Sequence, residues 1–347
     1  MAVLGMLALL GGMGWGARPS GMGWGARPSG NGWGHGGGRL AHFPPPLRGE
    51  ELDSAQVRLG KMLFYDPILS ADSTVSCASC HSPFHAFAHT DHALSHGIGD
   101  RMGTRNAPGL FNLAWQEDFM WDGAIHDLDF QALRPISDTN EMGSSLAEAV
   151  ERLGRAEGRY GQAFARAYGE GGVTGERVLR ALSAFQLSLV SAGSRYDGWR
   201  RGEDSLTPQE LRGYDLFRAH CNACHTEPLF AGTTPASNGL PPDPFLNDVG
   251  RAGVTGREED RYRFKVPSLR NLAYTYPYMH DGRFRRLHEV LAHYAEGIGP
   301  GASPPLTGPL GLTDGERVDL IAFLGTLNDR DFVYAEEHRE GRERREN

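Results

Sequence analysis

The 347-residue chain is long enough for two domains, and its 35 Lys+Arg against 43 Asp+Glu give a formal charge of −8. That mildly acidic balance, with no clustered basic face, excludes the electrostatic footprint of a nucleic-acid binder. No apolar run is long enough to cross a bilayer.

The chain opens on "MAVLGMLALLGG", a short apolar run like the core of an export signal, but no Lys or Arg precedes it. The nonapeptide "GMGWGARPS" then occurs twice in tandem, at 12–20 and 21–29. Units this short and Gly-rich bury no face, so low-complexity chain is expected rather than a structural repeat. Residues 1–43 are therefore set apart, and the folded protein is expected to begin near Pro44.

All four cysteines fall in two C-x-x-C-H pentads, at 77–81 and 221–225. Two thiols three positions apart lie near one face of a single helical turn, and the histidine follows at once. That arrangement suits a c-type haem: each thiol adds to a vinyl group and the imidazole ligates the iron. Cys77, Cys80 and His81 would hold one haem, and Cys221, Cys224 and His225 a second. A structural zinc site normally joins its cysteine pairs over a much shorter span. A thioredoxin-like redox site needs one C-x-x-C in a βαβ setting. Neither pattern is present.

Helical signals dominate the rest. "SLAE" at 145–148 and an apolar run at 178–190 mark two helices. "TPQE" at 207–210 combines an N-cap threonine, proline at the first helical position and a capping-box glutamate. "TDGE" at 313–316 opens another helix. No sustained period-two alternation competes, so the expected fold class is mainly α. Gly/Pro-rich connectors at 232–244 and 297–311 suit a protein whose cofactor fills much of the core. A hinge near 192–205 is expected to separate an N-terminal haem domain, 44–195, from a C-terminal one, 196–335. The charged tail at 336–347 reads as solvated and frayed.

Several linked motifs then carry a resemblance: "LFYDPILSADSTVSCASCH", "GTRNAPGLFNLAW", "FMWDG", "NEMG", "CNACH", "VPSLRNLAYTYPYMHDGRF" and "LHEVLAHYAEG". In order and spacing, the stretch from 52 to 327 resembles the bacterial di-haem cytochrome c peroxidase family, MauG-type enzymes included. The resemblance implies two cytochrome-c-like helical domains with one covalently attached c-type haem each. It makes the N-terminal haem the peroxidatic site and the C-terminal haem the electron store or relay. It makes His81 and His225 the proximal ligands, places Trp121 between the haems, and gives Glu141 the role of distal acid–base group. Gln131 and Pro135 match residues of the same pocket. Asn106, Thr275 and Pro277 match a calcium site at the domain junction, the last two through carbonyl oxygens. On pattern alone, Glu141 reads as a surface or cap residue and Trp121 as core packing.

One departure stands out. Many members place a methionine on the far side of the second haem. Aligning from "LHEVLAHY" puts Tyr294 there, as in MauG, with His293 and Met279 as neighbouring alternatives. A phenolate oxygen stabilises ferric iron, whereas a thioether raises the potential. In the loop "ALSHGIGDRMG", His96 lies close to where some relatives carry a resting-state haem ligand; backbone bonding is its other reading. His85, His89 and His92 read as solvated loop histidines, and His280 matches a family histidine near the second haem.

The leading function is reduction of hydrogen peroxide with electrons from a small cytochrome or copper protein. A MauG-like oxidase acting on a partner protein is the alternative among enzymes, and a di-haem electron carrier the alternative outside them. Haem attachment implies a periplasmic location, and the resemblance makes a homodimer possible.

Overall fold

The computed structural model describes residues 38–49 and 51–340. The signal-like start, the tandem repeat and the end of the charged tail lie outside them.

The N-terminal half begins with α1 (Ser54–Tyr65), capped by the Asp53 carboxylate, which accepts from the backbone N–H groups of Ala55 and Gln56. The first pentad forms the single turn α2 (Cys77–Cys80). Short α3 (Leu128–Gln131) and α4 (Leu133–Ser137) follow. Helix α5 (Leu146–Arg155) opens on the expected Ser145/Glu148 capping box. After α6 (Glu157–Tyr168), α7 (Gly175–Ser188) takes up most of the apolar run. Leu59, Leu63 and Phe64 of α1 share one core with Leu182 and Phe185 of α7.

The C-terminal half holds α8 (Arg195–Arg201), α9 (Pro208–His220), α10 (Ala252–Thr255), α11 (Leu287–Glu296), α12 (Asp314–Gly325) and α13 (Arg330–Tyr334). Helices α9 and α12 open on the expected Thr207/Glu210 and Thr313/Glu316 boxes. Phe217, Phe230, Leu291, Leu320 and Phe323 form a second core. Among the described residues, β pairing is confined to isolated bridges, so the fold is mainly α, as expected.

Both cores depend on the same kind of helix crossing. A Cβ on Gly60 of α1 would lie 1.8 Å from the Ala181 carbonyl oxygen of α7 and 2.9 Å from Phe185 Cβ. A Cβ on Gly213 of α9 would lie 2.0 Å from the Asp319 oxygen of α12 and 2.8 Å from Phe323 Cβ. Each glycine weakens its helix slightly, but it lets two backbones touch and an aromatic ring lie across the contact.

Three expected boundaries acquire packing partners. Residues 192–205 are tied into the fold. Asp197 of α8 is 0% exposed and receives two hydrogen bonds from the equally buried Arg270, at 2.7 and 2.8 Å. Ser191 binds Asn112, Asn271 and Asp329. Removing one partner from such a buried pair leaves an uncompensated charge, which is strongly destabilising. The small polar residues that suggested a linker are the ones a buried network needs. Ordered packing also begins before Pro44: His42 Nε2 is 2.7 Å from Asp197, and Arg270 lies over the Phe43 ring. Finally, the first residues of the tail fold back. His338 is buried against Phe87 and Phe332, and the Lys61 ammonium donates to the Glu337 carbonyl at 2.8 Å. Phe332 and Val333 of α13 belong to the N-terminal core, so the end of the chain closes the first half.

The glycine crossings give a direct test. Gly60→Ala or Gly213→Ala should destabilise the haem-loaded protein by about 1–3 kcal/mol or more, the usual range for overpacking. Gly154→Ala in α5, whose Cβ meets nothing within 4 Å, should be neutral or stabilising by a few tenths to about 1 kcal/mol. Denaturant melts of the three variants read the difference.

Candidate haem sites and the junction between them

In the first pocket, the His81 backbone N–H closes the α2 turn on the Cys77 carbonyl at 2.9 Å. The imidazole Nδ1–H donates to the Phe87 carbonyl at 2.7 Å. Positive φ angles at Ala86 and Phe87, 49° and 59°, turn that carbonyl toward the ring. Burial pushes the His81 pKa down to about 4. The ring is therefore neutral near pH 7, and Nε2 keeps its lone pair for a metal. Burial pushes the Cys77 thiol up to about 12, with smaller contributions from Cys80 and Glu141. Cys80 rises to about 11, again by burial and then by Glu141.

Glu141 is thus felt at both thiols and shares their pocket. It lies in a turn after α4, where its backbone N–H bonds the Asp138 carbonyl at 3.0 Å and Met142 N–H bonds the Pro135 carbonyl at 3.1 Å. Burial, then Asp138, raises its carboxyl above the ordinary range against the pull of Arg134. The His96 loop is docked on this turn. Ile98 N–H donates to the Glu141 carbonyl at 2.8 Å, and a Cβ on Gly97 would fall 2.1 Å from the Asn140 oxygen. His96 Nδ1 is 2.6 Å from Asp100, its ring packs on His92, and its carbonyl oxygen lies 3.9 Å from Cys80 Sγ. With Nδ1 tied to a carboxylate, Nε2 is the basic nitrogen. The rings of His89 and His92 are stacked, and His85 lies edge-on to Tyr276. Gln131 donates to Met120 Sδ at 3.5 Å, which connects α3 to the backbone of the adjacent Trp121.

The second pocket repeats the first. His225 Nδ1 faces the Pro267 carbonyl at 3.0 Å and the Phe230 carbonyl at 3.3 Å. Burial lowers its pKa to about 4. Cys221 is pushed up to about 12, by burial and then by Cys224. Tyr294 of α11 is half-buried near them. Its phenol is pushed up to about 12 by burial, with the Asn238 amide working in the opposite direction and Cys221 and Cys224 adding to the rise. His293 Nε2–H donates to the Asn238 carbonyl at 3.1 Å, and Met279 Sδ accepts from Asn238 Nδ2 at 3.4 Å.

At the junction of the two halves, Trp121 is held from both sides. Its Nε1–H donates to the Asn106 carbonyl at 2.8 Å, and its own carbonyl accepts from Lys265 N–H at 2.7 Å. Asn106 N–H bonds the His280 carbonyl at 2.7 Å, and the His280 ring stacks on Phe264 at 3.8 Å. Arg105 makes a two-point contact with Asp248, at 2.6 and 2.8 Å, and reaches Asp122 at 2.6 Å. Burial opposes the charge, but the bonds to Asp248 and the nearby Asp122 hold the guanidinium above its ordinary value.

Residues 54–205 match the family "Di-haem cytochrome c peroxidase" and residues 211–328 the family "Cytochrome c". The chain is 39% identical to methylamine utilization protein MauG of Methylorubrum extorquens, over 82% of this chain and 81% of that one. It is 38% identical to cytochrome c551 peroxidase of Nitrosomonas europaea, over 70% of this chain and 72% of the relative. A solved MauG-like protein associated with microbial copper homeostasis superposes with a TM-score of 0.76 at 32% identity, over 86% of this chain and 96% of that one. The chain belongs to the di-haem cytochrome c peroxidase family. It is a haem-dependent oxidoreductase with two c-type haems.

Its own residues fit those haems. Each pocket offers two neutral, partly buried thiols and a neutral imidazole already oriented through Nδ1. At Asn106, Thr275 and Pro277 a cation would rest on neutral oxygens, a donor type that calcium accepts. Asn106 itself is buried, with its Nδ2 donating to the Ala93 carbonyl at 3.0 Å. Sequence reasoning missed Asn238, Asp248 and Lys265. Burial lowers the Lys265 pKa to about 8, against the pull of Asp118, and its ammonium donates to Gln116 at 3.0 Å. Arg105 carried a signal, since it stands beside Asn106 in the "GTRN" motif of this peroxidase family.

Mass spectrometry of acid-denatured protein should show two covalent haem additions. Cys221→Ala/Cys224→Ala should leave one, and a wild-type protein with fewer than two would contradict the assignment.

Proposed function

We propose that this protein reduces hydrogen peroxide to water in the periplasm, with electrons from a small cytochrome or copper protein. Two electrons and two protons break the O–O bond and yield two waters. Peroxide binds in the pocket of Cys77, Cys80 and His81, whose haem supplies the electron transfer to the O–O bond. The Glu141 carboxylate takes the proton from one peroxide oxygen and delivers it to the other, so that the departing oxygen leaves as water. Its burial raises its affinity for that proton. Gln131 and Pro135 belong to the shell of this pocket. His81 holds the proximal side through Nε2, and His96 Nε2 is the candidate ligand of the resting state. Trp121 lies on the route between the halves, and His225 and Tyr294 would hold the second haem, which would supply the second oxidising equivalent. Calcium at Asn106, Thr275 and Pro277, and a homodimer, complete the reading.

The observation that carries it is the half-buried Glu141 beside the first pentad, with its carboxyl pKa raised. An electron carrier has no use for such a group. A second reading has its own support: Tyr294 lies where many members place a methionine, and a MauG is among the relatives. On that reading the same oxidising equivalents are used on a residue of a partner protein.

Glu141→Gln should keep both haems and lose about 100- to 10,000-fold in peroxide turnover. In the wild type, turnover should fall as pH drops through the Glu141 pKa. That acid limb should lie above the ordinary 4.5 and be absent in the variant. Steady-state rates against pH test both points; an unchanged rate would favour the carrier.

A further inference from the structure

The three candidate far-side ligands of the second haem converge on one residue that neither motif nor resemblance singled out. Asn238 Nδ2 donates to Met279 Sδ at 3.4 Å, and its backbone carbonyl accepts from His293 Nε2 at 3.1 Å. The same carboxamide works against the rise of the Tyr294 phenol pKa, so the two groups are neighbours. Its orientation is fixed from outside the pocket. Asn238 Oδ1 accepts from Leu240 N–H at 3.1 Å, which leaves the NH₂ group facing the sulfur and the phenol. The segment is tied down on both sides: Ser237 exchanges hydrogen bonds with Ser303, and Gly299 N–H bonds the Gly239 carbonyl at 2.9 Å. Tyr294 is anchored to the same region through Leu310 N–H, which bonds its carbonyl at 2.9 Å.

We propose that Asn238 is a positioning residue that selects the axial ligand of the C-terminal haem. With its Nε2 proton donated to the Asn238 carbonyl, His293 has no lone pair on that nitrogen. Its other nitrogen lies against the Gly297 turn, 3.4 Å from where a Cβ would stand. The Met279 thioether is occupied by an N–H donor. The phenol oxygen is the one candidate that the carboxamide helps, because an N–H donor stabilises the charge it carries as a ligand. One residue thus engages both competitors, Met279 through its side chain and His293 through its backbone carbonyl, and favours the third. In this way a loop outside α11 sets the ligand, and through it the potential, of the second haem.

This inference rests on Tyr294 as ligand, and the test separates the two. Ferric holoprotein is examined by absorption and electron paramagnetic resonance, from the visible to the near infrared. Wild type should show phenolate ligation and Tyr294→Phe should lose it; a wild type without that signature overturns the Tyr294 assignment and this inference together. If wild type passes, Asn238→Leu decides the rest. It should keep two haems, but the ratio of phenolate-bound to thioether-bound protein should fall by about tenfold or more, as expected for losing one hydrogen bond to an ionised group. The near-infrared band of thioether-bound ferric haem should appear, and should vanish in Asn238→Leu/Met279→Leu. Asn238→Asp keeps the Oδ1 contact to Leu240, removes the donor and should move the ratio the same way, so it serves if the leucine variant fails to load haem. Phenolate ligation unchanged in either loaded variant would overturn the role of Asn238.

Discussion

A buried imidazole whose Nδ1 is tied to a backbone carbonyl organises each half of this molecule. Histidine placed in an apolar interior gives up its proton and would be left with an unsatisfied N–H. The carbonyls of Phe87 and of Phe230 with Pro267 meet that need. They also fix which nitrogen remains basic and where it points. The cost is backbone strain: Phe87 and Phe230 both take positive φ, 59° and 53°, a conformation that a bulky side chain seldom adopts. The surrounding cores over-determine it. Phe87 is wedged among Phe64, Phe185 and Phe332, and Phe230 among Tyr196, Phe217 and Phe323. The helix crossings at Gly60 and Gly213 bring those rings within reach. Proximal ligand, strained turn and glycine crossing therefore form one device, used twice.

Chemistry that uses two haems needs the halves held in one fixed relation. The junction combines apolar packing with charge. Phe332 and Val333 enter the N-terminal core, Arg105 joins Asp122 of its own half to Asp248 of the other, and within the C-terminal half Arg270 is sealed against Asp197. Such pairs stabilise little in themselves once desolvation is counted, but breaking one strands a buried charge. That makes them good locks on geometry. Trp121 sits in this lock with both its indole N–H and its backbone carbonyl engaged, so its ring has little freedom at the junction of the two halves.

The parts legible in the sequence were those whose meaning is local. A C-x-x-C-H pentad specifies its chemistry within five residues, and the Thr207/Glu210 and Thr313/Glu316 boxes specify a helix start within four. Tyr294 could be placed only by alignment to relatives, and its pocket is the one that contains Cys221 and Cys224. What stayed hidden depends on partners far along the chain. Gly60 and Gly213 read as weak points in helices until Ala181 and Asp319 come against them. The 192–205 segment has the composition of a linker, and only the distant Arg270 reveals the buried ion pair it holds at Asp197. Asn238 lies in a Gly/Pro-rich connector with no periodicity, where one polar residue looks like any other. His42 and His338 were passed over for the same reason: each becomes a packing residue only through a distant partner.

On the proposed mechanism the two halves act on peroxide as one redox unit. The most direct measurement adds one equivalent of hydrogen peroxide to the fully oxidised two-haem protein. Rapid-mixing spectroscopy follows both haems, and a one-electron donor then returns the protein to its starting state. The account predicts that both haem spectra change in a single phase and that two electrons per peroxide restore them. A spectrum that peroxide leaves unaltered, or a change confined to one haem, would contradict it.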